Sequence, residues 1–139
     1  MANKIIGKIS HGLQGELIIP GDKSVSHRSV MFAALGDTPV HITNFLSSAD
    51  CLSTAGVMQA LGAKVDFLGP TELIVKGNGL HGLKEPATVL DAGNSGTTLR
   101  LMMGMLAPQK FVSVFTGDSS LHKRPMGRVI KPLSMMGAN

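Results

Sequence analysis

The chain has 139 residues, 43% of them hydrophobic, with seventeen glycines, five phenylalanines and no tryptophan or tyrosine. That is enough for one domain with an aliphatic core, and too few rings for a base-stacking module. A net charge of +4, with cations set beside glycine and serine turns, points to small anionic ligands and away from nucleic acid and membranes.

Taken in order, Lys4–Ile9 and Glu16–Ile19 are expected to be two short strands joined through His11-Gly12. Lys4 and Lys8 flank only Ile5-Ile6, too short for the apolar core of a signal peptide. Pro20-Gly21 ends the second strand, and Ser24 is positioned to cap a helix from about Ser24 to Leu35. Gly36-Asp37-Thr38-Pro39 then stops that helix. Val40–Phe45 alternates as a strand, and Ser47-Ser48-Ala49-Asp50 can cap a second helix with Leu52, Ala55, Met58 and Leu61 on its buried face and Gly62 as its stop. Lys64–Leu68 and Glu72–Lys76 follow as a hairpin around Gly69-Pro70-Thr71. The pattern is β-α-β-α-β-β.

The same pattern then restarts. Laying Gly21 on Gly93, an offset of 72 residues, places Ser26 on Thr98 and Arg28 on Arg100. Thr88–Leu90 leads into Gly93-Asn94-Ser95-Gly96, a glycine turn feeding a helix, and Phe111–Phe115 is the next strand. Met136-Gly137-Ala138 matches Leu61-Gly62-Ala63 of the first copy, after which the hairpin of copy two would begin. Read this way, the polypeptide is the front part of a longer protein.

Three stretches carry chemistry. In Pro20-Gly21-Asp22-Lys23-Ser24-Val25-Ser26-His27-Arg28 the first-turn N–H groups, Lys23 and Arg28 can converge on a phosphate or carboxylate, with Arg28 one turn beyond Ser24. An ordinary capped helix with two solvated cations fits the same residues. Asp22 between Gly21 and Lys23 rules out a Walker A loop, and Gly93-Asn94-Ser95-Gly96 lacks dinucleotide-site spacing. Gly93 and Gly96 permit close backbone approach to a ligand, or form a plain glycine turn. In the third stretch, Leu121–Arg128, Pro125 is expected at the first helical position, with Arg124 at the positive helix end free to grip an anion or salt-bridged to Asp118 or Asp50. Val129, Ile130 and Leu133 form the apolar face there, and Pro132 should kink the helix. The histidines show no paired spacing, so there is no metal signature. Cys51 is read as a buried structural thiol, and its being the only cysteine fits a reducing cytoplasm.

In that order, PGDKSVSHR (20–28), DAGNSGTTLRL (91–101) and the D-x-S-L-x-x-R-P-M string (118–126) closely resemble the 5-enolpyruvylshikimate-3-phosphate synthase family over nearly the whole chain. The resemblance implies a two-domain enolpyruvyl transferase fold, an inside-out α/β barrel of repeated β-α-β-α-β-β units. Residues 1–20 would then be leading strands at the interdomain hinge, and 21–139 an incomplete N-terminal domain. Unit one would span about 21–84 and unit two about 85–139, cut short, with the second domain absent. It further implies transfer of the enolpyruvyl group of phosphoenolpyruvate to the 5-hydroxyl of shikimate 3-phosphate, by a cytoplasmic monomer without metal or organic cofactor. Lys23, as catalytic residue, would contact both substrates, Ser24 and Arg28 shikimate 3-phosphate, and Gly96 and Arg124 phosphoenolpyruvate, with Asn94 and Thr97 lining the pocket. Glyphosate would occupy the phosphoenolpyruvate site. UDP-N-acetylglucosamine enolpyruvyl transferase is the nearest competitor, but its lysine-asparagine opening and reactive-cysteine loop are absent. Leu101 stands where some relatives carry proline, which keeps the helix after Arg100 regular. A different class of reading is a non-catalytic anion-binding fragment.

The family's acid/base residues belong to a later half. The isolated 139-residue chain is therefore expected to give no synthase turnover. Phosphate release with both substrates, from material free of full-length enzyme, is the measurement, and release above background contradicts the expectation.

Overall fold

The computed structural model describes residues 3–5, 7, 8, 11, 12 and 14–138. The expected strand Lys4–Ile9 includes Ile6 and Ile9, which lie outside the described residues, and the others form no strand. Glu16–Ile19 is not a strand either. Leu17 and Ile18 are almost fully exposed, and no neighbouring strand among the described residues takes up their backbone groups.

The ordered elements begin with α1 (Lys23–Ala34) and β1 (Val40–Ile42), followed by α2 (Ala49–Ala60), β2 (Lys64–Gly69) and β3 (Glu72–Lys76). After these come β4 (Leu90–Asp91), α3 (Gly96–Leu106), β5 (Phe115–Thr116), a 3-10 turn Leu121–Lys123 and α4 (Gly127–Met135). A three-stranded antiparallel sheet has the order β1-β3-β2, and β4 pairs with β5 in parallel. The strands on either side of α3 are shorter than their sequence signals, because only Leu90–Asp91 and Phe115–Thr116 find partners.

Helix α2 lies between α1 and α3 and contacts both. Its buried face is Cys51, Thr54, Ala55, Val57 and Met58. Leu52, expected there, is instead exposed, because burial follows the 51-54-55-58 row that faces the neighbouring helices. Met58 and Leu61 meet Leu73 and Val75 of the sheet in a fully buried core. Truncating such a side chain costs about 2–5 kcal/mol. Gly62, at φ +98°, ends the helix as expected.

One cap and one helix start differ from what the sequence predicts. Asp22, not Ser24, caps α1: it has extended backbone, and its carboxylate accepts the Val25 N–H at 2.7 Å. The carboxylate also complements the positive end of the helix dipole. Ser48 caps α2 as expected. Pro125 does not open the fourth helix. Its ring disfavours helical backbone at the preceding residue, so Arg124 is extended (φ −81°, ψ 132°) and α4 starts at Gly127. Helix α4 continues through Pro132, with none of its residues fully buried and Ile130 exposed.

Close approach fixes the glycine at position 77, where a Cβ would fall 1.8 Å from the Ala34 carbonyl oxygen. Gly56, exposed in the middle of α2, would meet nothing within 4 Å. Gly77→Ala is expected to destabilise by roughly 1–3 kcal/mol or more, and Gly56→Ala to stabilise by up to about 1 kcal/mol through the unfolded chain and helix propensity. Urea midpoints of the two variants should move in opposite directions, and movement in the same direction refutes the packing account.

Candidate anion-binding site

The second and third stretches meet directly. Asp91 Oδ1 accepts the Gly93 N–H at 2.7 Å, turning the chain into the left-handed conformation that Gly93 holds at φ +55°. Ser95 then caps α3 by accepting the Thr98 N–H. This turn presents Asn94 at the surface, where its amide donates to Asp118 Oδ2 at 2.5 Å and its carbonyl oxygen accepts from Arg124 Nη2 at 2.6 Å. Arg124 Nη2 also donates to Ser120 Oγ at 3.4 Å. Among the described residues Arg124 has no salt bridge to Asp118 or Asp50. Asn94 stands between it and Asp118, and Asp50 is taken by Lys23.

Gly96 is buried at the first position of α3. A Cβ there would lie 2.7 Å from Arg100 Nη1 and 3.1 Å from Arg124 Nη1. Two guanidinium groups therefore close over one glycine. Arg100 is part-buried, and its Nε has no hydrogen-bond partner among the described residues. The sequence reading noticed Arg100 only as the repeat partner of Arg28. The signal that could have found it is its position one turn after Gly96 on α3.

The first stretch supplies the other cations. Lys23 Nζ pairs with the carboxylate of Asp50, in the first turn of α2, with the Lys23 side chain 50% exposed and that of Asp50 22%. Arg28 folds back to donate to the Ser24 carbonyl oxygen at 3.1 Å. Ser24 itself is exposed. Asp22 uses the Val25 N–H, so the start of α1 is less open to an anion than a serine cap would leave it. Among the described residues no protein acceptor takes the Ser24 or Thr97 N–H. Thr97 is part-buried beside Gly96.

The α1 and α3 starts are tied together from beneath. His27 Nδ1 and Thr54 Oγ1 are 2.6 Å apart, Thr54 Oγ1 and Thr98 Oγ1 2.7 Å, and Thr98 Oγ1 donates to Ser95 Oγ at 2.7 Å. All four side chains are fully buried. Burial pushes the imidazole of His27 below its ordinary value, Asp50 opposes this, and Lys23 and Arg28 reinforce it. Asp118 titrates below the usual carboxylate value because it accepts hydrogen bonds, first from Asn94 and then from the Leu121 backbone. The Cys51 thiol is buried and its pKa is raised by that burial, so the lone cysteine is not poised as a nucleophile.

Comparison with known proteins places these residues in context. The family profile for EPSP synthase (3-phosphoshikimate 1-carboxyvinyltransferase) matches residues 8–139. A 3-phosphoshikimate 1-carboxyvinyltransferase of Chloroflexus aurantiacus is 57% identical over 126 residues, covering 91% of this chain and 29% of its own length. One of Pelotomaculum thermopropionicum is 54% identical over 133 residues, covering 96% and 31%. The solved EPSP synthase of Acinetobacter baumannii superimposes with a TM-score of 0.86 at 50% identity, covering 90% of this chain and 28% of that one. The chain thus spans about a third or less of the length of these relatives.

The buried imidazole makes stability depend on pH. The folded protein binds the His27 proton less readily than the unfolded chain, whose ring titrates near 6.5. Stability is therefore full above about pH 6.5 and declines as pH falls from there through the lower folded value. His27→Asn keeps a polar group near Nδ1 but has no basic nitrogen to take up a proton. Urea midpoints measured between pH 5 and 7.5 should fall less steeply with acid for the variant, and parallel profiles refute the assignment.

Proposed function

The chain belongs to the EPSP synthase family, and from that premise we propose that it supplies one face of a site for two anionic substrates, shikimate 3-phosphate and phosphoenolpyruvate. The reaction joins the shikimate 5-hydroxyl oxygen to C2 of the enolpyruvyl group as C3 gains a proton. Loss of that proton and of inorganic phosphate from the tetrahedral intermediate gives 5-enolpyruvylshikimate 3-phosphate. The observation that carries this reading is the meeting of Arg100 and Arg124 over Gly96, with Asn94 bonded to Arg124. Cytoplasmic action belongs to the same reading, in keeping with the lone, buried Cys51, as does action as a monomer.

Each residue has a task that its geometry suits. Arg124, oriented through Asn94 and Ser120, offers a planar fork to the carboxylate or phosphate of phosphoenolpyruvate. Gly96 lets the ligand approach the α3 N-terminus, where the Thr97 N–H adds a donor aligned with the helix dipole. Ser24 and Arg28 provide the hydroxyl and the charge for shikimate 3-phosphate. Lys23, between the two ligands, exchanges part of its pairing with Asp50 for the incoming anions. Holding both ligands in attacking geometry offsets their mutual repulsion and removes the entropy of a two-body encounter.

In a full-length protein carrying this segment, phosphate release should require both substrates, and no release refutes the proposal. Arg124→Ala there should weaken phosphoenolpyruvate about 10- to 150-fold, the equivalent of one charge-assisted bond of roughly 1.5–3 kcal/mol. Shikimate 3-phosphate affinity should change little. Calorimetry showing equal losses for both ligands would instead mark Arg124 as a structural residue.

A further inference from the structure

Beneath the charged surface of the site runs a chain of hydrogen bonds that the proposed chemistry leaves without a task. It takes one side chain from each helix: His27 from α1, Thr54 from α2 and Thr98 from α3, ending at Ser95, the α3 cap. Every member is fully buried in a largely apolar core, with His27 Nε2 alone left without a partner among the described residues. Valine would fill the space of threonine without a polar atom, and buried polar groups are expensive unless each is paired. Thr98 Oγ1 also reaches the Asp50 carbonyl oxygen at 3.4 Å, beneath the carboxylate that holds Lys23.

Each of the three lies next to, or within a turn of, a residue assigned to a ligand or, for Thr54, the Asp50 that pairs with one. His27 precedes Arg28, Thr98 follows Thr97, and Thr54 is one turn beyond Asp50. Apolar contacts are non-directional, whereas hydrogen bonds of 2.6–2.7 Å are directional and tolerate only small displacements. We propose that His27, Thr54 and Thr98 are positioning residues: their buried hydrogen-bond chain fixes the start of α1 relative to the start of α3, and so holds the two anion cradles at reacting distance. This rests on the two-substrate reading above. None of the three touches a ligand, so each cradle should survive their loss while the alignment between cradles should not.

The test uses a full-length protein carrying this segment. Thr54→Val keeps the shape of the side chain and removes the hydroxyl. It is expected to lower kcat by at least about 10-fold, since displacements near 1 Å can cost 100-fold in rate. KM for each substrate should move less than about 3-fold. Thr54→Ser, which restores the hydroxyl, should recover most of the lost kcat. If T54V does not fold, Thr98→Val takes its place, with Thr98→Ser as its rescue and the same expectations, because Thr54 then keeps His27 Nδ1 and Ser95 keeps the Thr98 N–H. Unchanged kcat in a folded valine variant overturns the proposal. So does a kcat loss that T54S, or T98S in its place, does not recover, which would assign the effect to packing. A wild-type protein without turnover would instead overturn the two-substrate reading itself.

Discussion

Helix α2 is held between two helices that both present cations, and its largely apolar contacts to them include buried polar ones. Through Thr54 it touches His27 on one side and Thr98 on the other, and through Asp50 it holds Lys23 at the surface above. Remove α2, and α1 and α3 keep their caps, Asp22 and Ser95, but lose the element that relates one to the other. Local helix formation and global placement are thus separate requirements, met by different residues. The caps are worth on the order of 1 kcal/mol each. The placement depends on a few buried hydroxyls whose importance is geometric.

Three of the site's four cations have partners among the described residues, and Arg100 alone has none. Lys23 has Asp50, Arg28 has a main-chain carbonyl oxygen, and Arg124 has Asn94, which is itself anchored by Asp118. Such partners lower the repulsion among like charges and hold the side chains in defined rotamers. Exposed pairs of this kind add little net stability, so an arriving anion displaces them at small cost. The depressed titration of Asp118 keeps it ionised through the neutral range, so that it continues to orient Asn94 and through it Arg124. Neutral partners, Asn94 and Ser120, contact Arg124 directly, and its full positive charge remains for a ligand.

Much of this was legible in the chain itself. Helical spacing located α1, α2 and α3, the Gly69-Pro70-Thr71 turn located the β2-β3 hairpin, and the ordered motifs led to the right family. The misses have physical causes. Asp22 and Ser24 are both good cap residues two positions apart, and only the backbone angles make Asp22 the cap. Pro125 was placed inside a helix because proline favours the first position, yet the same ring forced Arg124 into extended backbone and delayed the helix to Gly127. Leu52 was counted as core from its hydrophobicity, although the direction of the buried face is set by neighbours that no local pattern reveals. Asp50, Arg100 and the His27-Thr54-Thr98 chain were missed for that last reason: each acts through a partner more than twenty residues away or through three-dimensional convergence.

On the two-substrate proposal, the two glycine-turn stretches use one repeated unit for two ligands in different ways. Ser26 and Thr98 occupy matching places in the repeat and are both buried, yet Ser26 accepts the Leu46 N–H while Thr98 joins the chain between helices. At the surface, Arg28 turns back onto its own helix, whereas its counterpart Arg100 reaches Gly96 and meets Arg124 there. The α1 cradle therefore presents separated charges and a hydroxyl, suited to a phosphate on a polyhydroxylated ring. The α3 cradle concentrates two guanidinium groups over a glycine, suited to a compact ligand with anionic groups close together. A shared backbone pattern sets where an anion can bind, and the side chains one turn further along decide which anion fits.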